Sequence, residues 1–232
     1  MKVAIHQPQY LPWLPYLEKI EESDVFIFLD TVDFQKNGLQ NRNQIKTAQG
    51  AHWLTVPVKQ QLGQKIQDVV IDNSIDWRRK HWQTIRQSYT KASFFKTYEQ
   101  DIEALYAREW SGLNELNIEL TTLMLSWMNI GTHIMRSSQM KATGVASDLV
   151  LSLCLAVGAT RYLTGIGGKN YLDSESFGKA GVEIVYRPSS LPVAYPQLFP
   201  RAGFINHLSA LDIVVNCGEA WGSYLPDKVA KI

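Results

Sequence analysis

Little in this chain is extreme, and each scarcity removes a class of function. Two cysteines among 232 residues, Cys154 and Cys217, are too few for a disulfide framework or a thiolate metal cluster. Charge of one sign is absent: 23 Lys and Arg stand against 22 Asp and Glu, a net +1. No global field steers the protein toward nucleic acid or an acidic membrane, so neither partner is expected. No run approaches the roughly 18 uninterrupted apolar residues of a membrane span, and no basic leader followed by an apolar stretch opens the chain. A cytoplasmic protein without membrane insertion is the expectation. Repeats and low-complexity segments are missing too. With 45% hydrophobic residues, one sizeable core is within reach.

What is present reads as α/β. "KVAIH" is a short strand, "PYLEKIEESD" carries Tyr16, Leu17 and Ile20 at helical spacing behind Pro15, and "VFIFLD" is an apolar run of strand length. Strand, helix and strand within thirty residues make a βαβ unit, and ligands of such units sit beyond the carboxyl ends of the strands. "QIKT" and "HWLTVPV" flank "AQG" as a hairpin, and "IQDVVID" adds a further strand. From about residue 75 to 130 the texture turns helical, which predicts an inserted helical segment. Afterwards "HIMRSS", "TRYLTG" and "VEIVYR" alternate with helices at "SDLVLSLCLAVGA", "DSESFGKAG" and "HLSALDIVVNCG". The expected architecture is a single Rossmann-like domain over 1–232, its sheet mainly parallel, with a hairpin and a helical insertion.

The oddest stretch is "HQPQYLPWLPY". Three prolines stiffen it at low conformational cost, and its aromatics, Tyr10 and Trp13, either wall a ligand or cap the sheet. His6 at the end of the first strand is a core imidazole or a general base; Gln7 adds amide donors and acceptors beside it. Asp30 ends the second strand as His6 ends the first. It either orients that imidazole or caps a turn.

The polar run "FQKNGLQNRNQIK" is a solvated loop or a recognition strand with Asn41 and Asn43 on one side and Arg42 on the other. Tyr89 and Lys91 near the end of a helix offer a hydroxyl and an amine suited to phosphate. In "YLTGIGGKNYLD", Gly165, Gly167 and Gly168 allow close approach of backbone to ligand and Lys169 reaches for an anion. That turn is not a P-loop, since its spacing differs and no GK[ST] ending follows. Cys217 with His207 ten residues earlier has the parts of a thiol nucleophile and base, but its apolar helix favours an inert thiol. No metal ligand set emerges, and the sequence names neither a cofactor nor an oligomeric state.

Five of these segments in order, "HQPQYLPWLPYLEKI", "NRNQIK...WLTVPV", "SYTKASFF", "ATRYLTGIGGKNYLD" and "LSALDIVVNCG", resemble the WbqC-like protein family over nearly the whole chain. The resemblance implies a place in bacterial surface-polysaccharide (O-antigen, lipopolysaccharide) biosynthesis and, from some members, a glycine (aminoacyl) transferase role. Together with the candidate residues above, the expectation is a transferase that moves a small acyl or aminoacyl group, glycyl among them, to the amine of a nucleotide-linked amino sugar, so that the expected partner is a small-molecule substrate, a sugar nucleotide. "LPY" and "YTKASFF" depart from the family's usual Gly-Tyr or Gly-Phe and Tyr-Lys-Lys-Ala-Pro-Tyr-Phe, keeping Tyr89 and Lys91. The element order is also similar to the HUP-type architecture of pantothenate synthetases and nucleotidyltransferases, whose paired-His loop is absent here. An ATP-using ligase and a non-catalytic sugar-nucleotide or pathway-enzyme binder are the alternatives.

Overall fold

A computed structural model describes residues 1–188 and 191–225. The chain opens with β1 (Lys2–His6), α1 (Leu14–Glu21) and β2 (Val25–Phe28). A small antiparallel hairpin follows, β3 (Arg42–Thr47) and β4 (Gly50–Thr55), with a second two-strand ladder of β5 (Val58–Lys59) and β6 (Val70–Ile71). Three helices come next, α2 (Trp77–Tyr89), α3 (Phe95–Ala107) and α4 (Leu113–Trp127). The chain then returns as β7 (His133–Arg136), α5 (Ser147–Ala156), β8 (Arg161–Gly165), α6 (Ser174–Lys179), β9 (Glu183–Arg187) and α7 (Ala210–Cys217).

The central sheet has five strands in the order β7-β2-β1-β8-β9, and all its pairs are parallel. This is the expected Rossmann-like α/β fold. Its middle strands read as continuous apolar runs because they are buried on both faces, "VAI" in β1 and "VFIF" in β2. Ala4, Phe26, Phe28 and Leu163 belong to a core shared with α1, α2, α3, α4, α7 and the hairpin. Val3, Ile5, Val25, Ile27 and Tyr162 belong to a second core shared with α5 and α6. Helices therefore cover both faces, as a parallel sheet requires.

Local chemistry explains the boundaries. Pro15 stands in the first turn of α1, where its missing N–H is no loss. Asp173 caps α6 by accepting from Glu175 N and Ser176 N, and Ser209 caps α7 by accepting from Leu211 N. Gly158 follows α5 with φ 69°, the left-handed turn that stops a helix. The helical stretch from Trp77 breaks at Thr90; Phe94 precedes α3 and is 40% exposed, while Ile85, Tyr89 and Phe95 are buried.

Asp30, at the end of the β2 segment, is fully buried. Ser137 Oγ and Ser138 N donate to its Oδ1 at 2.8 and 2.9 Å, and Ser138 Oγ and Asn114 Nδ2 donate to its Oδ2 at 2.7 and 3.1 Å. Four donors engage both oxygens, joining the first turn of α4 to the turn after β7. The expected pairing with His6 does not form, because this carboxylate is already saturated. Asp30→Ala strands those donors in the core and is expected to lower unfolding free energy by about 3 kcal/mol. Urea denaturation showing a loss under 1 kcal/mol would remove Asp30 from this structural role.

Candidate functional site

Strand order creates the site. β2 and β7 extend from β1 in one direction, while β8 and β9 extend in the other. At that reversal the connections leaving the carboxyl ends of β1 and β8 diverge and open a crevice, the usual binding place of open parallel sheets. A cleft of about 360 Å³ lies there. β1 contributes Ile5 and His6, the proline loop and α1 contribute Trp13, Pro15, Tyr16 and Lys19, and β8 with its following turn contributes Tyr162, Thr164, Gly165, Gly167, Gly168 and Tyr171. β9 supplies Arg187, which pairs with Gly165 across the sheet.

The loop from Gln7 to Trp13 is held from three sides. Tyr10 N donates to Leu39 O at 3.0 Å, Ala210 N to Pro12 O at 2.8 Å, and Asn43 Nδ2 to Leu11 O at 2.6 Å. Leu11 sits at φ 44°, a conformation costly for a branched residue and sustained by those bonds. The prolines thus deliver Trp13 to the cleft mouth, where its ring stacks on His207 at 6.4 Å between centroids.

His6 Nδ1–H donates to Gln7 O at 3.1 Å, which leaves Nε2 as the ring's acceptor. The Tyr16 ring meets the imidazole edge-on at 5.0 Å, and its hydroxyl also donates to Gln7 O. Burial, and then the charge of Lys19, push the imidazole down to about 3 against the hydrogen bond to Gln7. His6 is therefore neutral at physiological pH. Lys19 is only 7% exposed, and burial, followed by the nearby Arg187 guanidinium, lowers its amine to about 7. Arg187 is itself fixed, Nη2 to Glu18 Oε2 at 3.0 Å and Nε to Glu22 Oε1 at 2.7 Å.

The structure thus gathers His6, Trp13, Gly165, Gly167 and Gly168 in one cleft. Gln7 does not line it: its carbonyl accepts from His6 and Tyr16, and its Oε1 accepts from Gln40 Nε2 at 2.8 Å. Lys169 follows the glycines, but its amine lies over the Tyr186 ring, 5.2 Å from the centroid. The remaining candidates stand elsewhere. Tyr10 is buried with its hydroxyl on His81 Nδ1 and the Tyr106 hydroxyl. Asn41 and Asn43 are buried, as alternation predicts, but Asn41 Nδ2 donates to Val56 O and Asn43 serves Leu11. Arg42 lies over Trp53 and donates to Asn37 O. Tyr89 donates to Asp212 Oδ1 at 2.8 Å in the core. Lys91 borders a different surface cavity beside Phe199 and Arg201. Burial lifts Cys217 to about 11, while His207 faces Trp13, so no thiol and base pair forms. Among the described residues, no group of three His, Cys, Asp or Glu side chains is placed to hold a metal.

Tyr16, Lys19, Tyr171 and Arg187 were not singled out from sequence. For Lys19 the sequence holds no signal: Leu14 to Ile20 are all buried, the charged Glu18 and Lys19 among them, and only the folded helix shows it. Arg187 closes "VEIVYR" at a strand's carboxyl end, the position the βαβ argument favours.

Keeping Lys19 buried costs stability. The unfolded chain holds its amine protonated up to about 10.5, whereas the folded protein releases that proton near 7. Between those values the unfolded state binds more protons, so this group makes stability rise with pH from about 7 to 10.5. His6 acts in its own window, its contribution being lost as pH falls from about 6.5 toward 3. Lys19→Met is expected to be more stable than wild type at pH 7 by roughly 2–4 kcal/mol, with the difference shrinking toward pH 10. Urea unfolding across pH 5–10 checks this; a less stable variant at pH 7 would refute the buried-amine assignment.

Comparison with known proteins places the chain by sequence. The model of the WbqC-like protein family matches residues 7–224. The chain is 32% identical over 227 residues to "Uncharacterized protein Rv1507c" of Mycobacterium tuberculosis (strain ATCC 25618 / H37Rv), covering 97% of each chain. No solved structure matches. No helix among the described residues is long and apolar enough to cross a membrane. A family match over nearly the full length, with a relative at this identity, leads to one conclusion: the chain belongs to the WbqC-like protein family.

Proposed function

We propose that this protein is a transferase that moves a small acyl or aminoacyl group, glycyl among the candidates, to the amine of a nucleotide-linked amino sugar in surface-polysaccharide biosynthesis. One observation carries the reading: the crevice at the sheet's reversal holds two basic side chains, Lys19 and Arg187, and a glycine turn, with no carboxylate among its described lining residues. Basic groups and exposed backbone at a strand end suit a diphosphate, and the faces of Trp13 and Tyr171 suit a base or a sugar.

The reaction needs three services. The acceptor nitrogen's lone pair attacks the acyl carbon, the nitrogen's proton leaves to a base, and the donor's leaving group departs with its bonding pair. His6 Nε2 is the proposed proton acceptor. Its low affinity for a proton is set by burial and by Lys19, and the negative charge of a bound diphosphate acts in the opposite direction. Thr164 and the Gly165–Gly168 backbone are the proposed donors to the developing oxyanion. Asp30 has no proposed part in this chemistry.

The HUP-type ligase reading draws on the sheet order and on a histidine ending the first strand. ATP-dependent pyrophosphate exchange separates the two, since transfer from a pre-activated donor produces none.

The glycines supply the direct test. A Cβ added at Gly165 or Gly167 meets no heavy atom within 4 Å, so a side chain there fills the cleft without straining the protein. Gly167→Leu is expected to change folding stability by no more than about 0.5 kcal/mol and to abolish the thermal stabilisation given by nucleotide sugars to the wild type. A Gly167→Leu protein that still responds as wild type would place the ligand elsewhere.

A further inference from the structure

The two basic groups of the cleft are not equivalent. Arg187 is committed to Glu18 and Glu22. Among the described residues Lys19 bonds to no carboxylate, because Glu18 turns to Arg187; its Nζ donates to Ile5 O at 3.5 Å, at the limit of such bonds. An ammonium in this position has two further N–H donors without partners among the described residues, on a side chain that is itself more than nine-tenths buried. A buried charge so poorly compensated is disfavoured until an anion arrives.

We propose that the cleft takes up a phosphate-bearing ligand together with one proton, which settles on Lys19 Nζ so that the resulting ammonium pairs with a phosphate oxygen. This rests on reading the cleft as a nucleotide-linked substrate site, and it adds how that substrate is held. No covalent bond is made or broken; the proton comes from solvent. The titratable and charged groups facing Lys19 are His6 from β1, Tyr16 and Glu18 from α1, Glu22 just after that helix, Tyr162 from β8, Tyr171 from the following turn and Arg187 from β9. His6 is neutral, burial keeps the phenols of Tyr16 and Tyr162 protonated, and the two glutamates are bound to Arg187. Lys19 is the member of this group brought to about 7.

An amine with that value is about one quarter protonated at pH 7.5, so binding that completes protonation takes up about 0.75 proton. Affinity then falls about eightfold from pH 7.5 to 8.5. The experiment is titration calorimetry of the full chain with UDP-N-acetylglucosamine, whose diphosphate diester keeps a fixed charge near neutrality and whose amine is already acylated. It is run at pH 7.5 in buffers of different ionisation heat. Wild type is expected to show that uptake; Lys19→Arg to bind within a few-fold and without uptake; Lys19→Met to bind at least about tenfold more weakly, also without uptake. Wild-type binding with no proton uptake, or uptake persisting in Lys19→Arg, overturns the inference and leaves the phosphate reading standing. No binding of either UDP-N-acetylglucosamine or inorganic pyrophosphate overturns both. Should a variant fail to fold, the wild-type buffer comparison decides alone.

Discussion

The reversal of strand order at β1 is the constraint from which the rest follows. With β2 and β7 laid to one side and β8 and β9 to the other, both faces of β1 are buried and its apolar residues are obligatory. At its carboxyl end no neighbouring connection closes over it. His6 is the residue at that end. Burial suppresses its charge, α1 brings Lys19 alongside, and the β8 turn supplies backbone unencumbered by side chains. None of these features requires a special motif; each is a consequence of where parallel strands stop.

The buried charges fall into two kinds. Asp30 is saturated by four neutral donors and ties three segments together, which makes it a fastener. Glu18 and Arg187 compensate one another at 3.0 Å. Lys19 is compensated in neither way: among the described residues no carboxylate bonds to it, and the fold tolerates it by surrendering its proton near neutrality. Packing gives no reason for a lysine there when a methionine would fill the same space. The proposed phosphate-bearing ligand supplies one.

Much of the fold was legible because its signals are local. Apolar runs of strand length separated by amphipathic helices announce a parallel sheet, and Pro15, Asp173 and Gly158 mark helix limits by their own backbone chemistry. The site was half legible for the same reason. His6 and Gly165 to Gly168 stand at or just beyond strand ends, where the rule that ligands gather there points, and the candidate cleft brings them together. Asn43, Tyr89 and Asp30 carry polar groups just as suggestive, yet these are consumed by internal partners, Leu11 O, Asp212 and the Ser137–Ser138 turn. Which polar groups the core consumes depends on contacts more than 30 residues apart in sequence. Lys19 was hidden by the opposite error: lysine on a helix is usually solvated, and nothing short of the fully buried helix reveals otherwise.

The bond between Glu18 and Arg187 spans 169 positions. During synthesis from the amino terminus, β1, α1 and β2 emerge long before β9, and until then the nearly solvent-free place prepared for Glu18 would hold a carboxylate without its guanidinium. The opening βαβ unit is thus a poor candidate for an autonomous folding piece, and its helix settles fully only after the last strand of the sheet has left the ribosome.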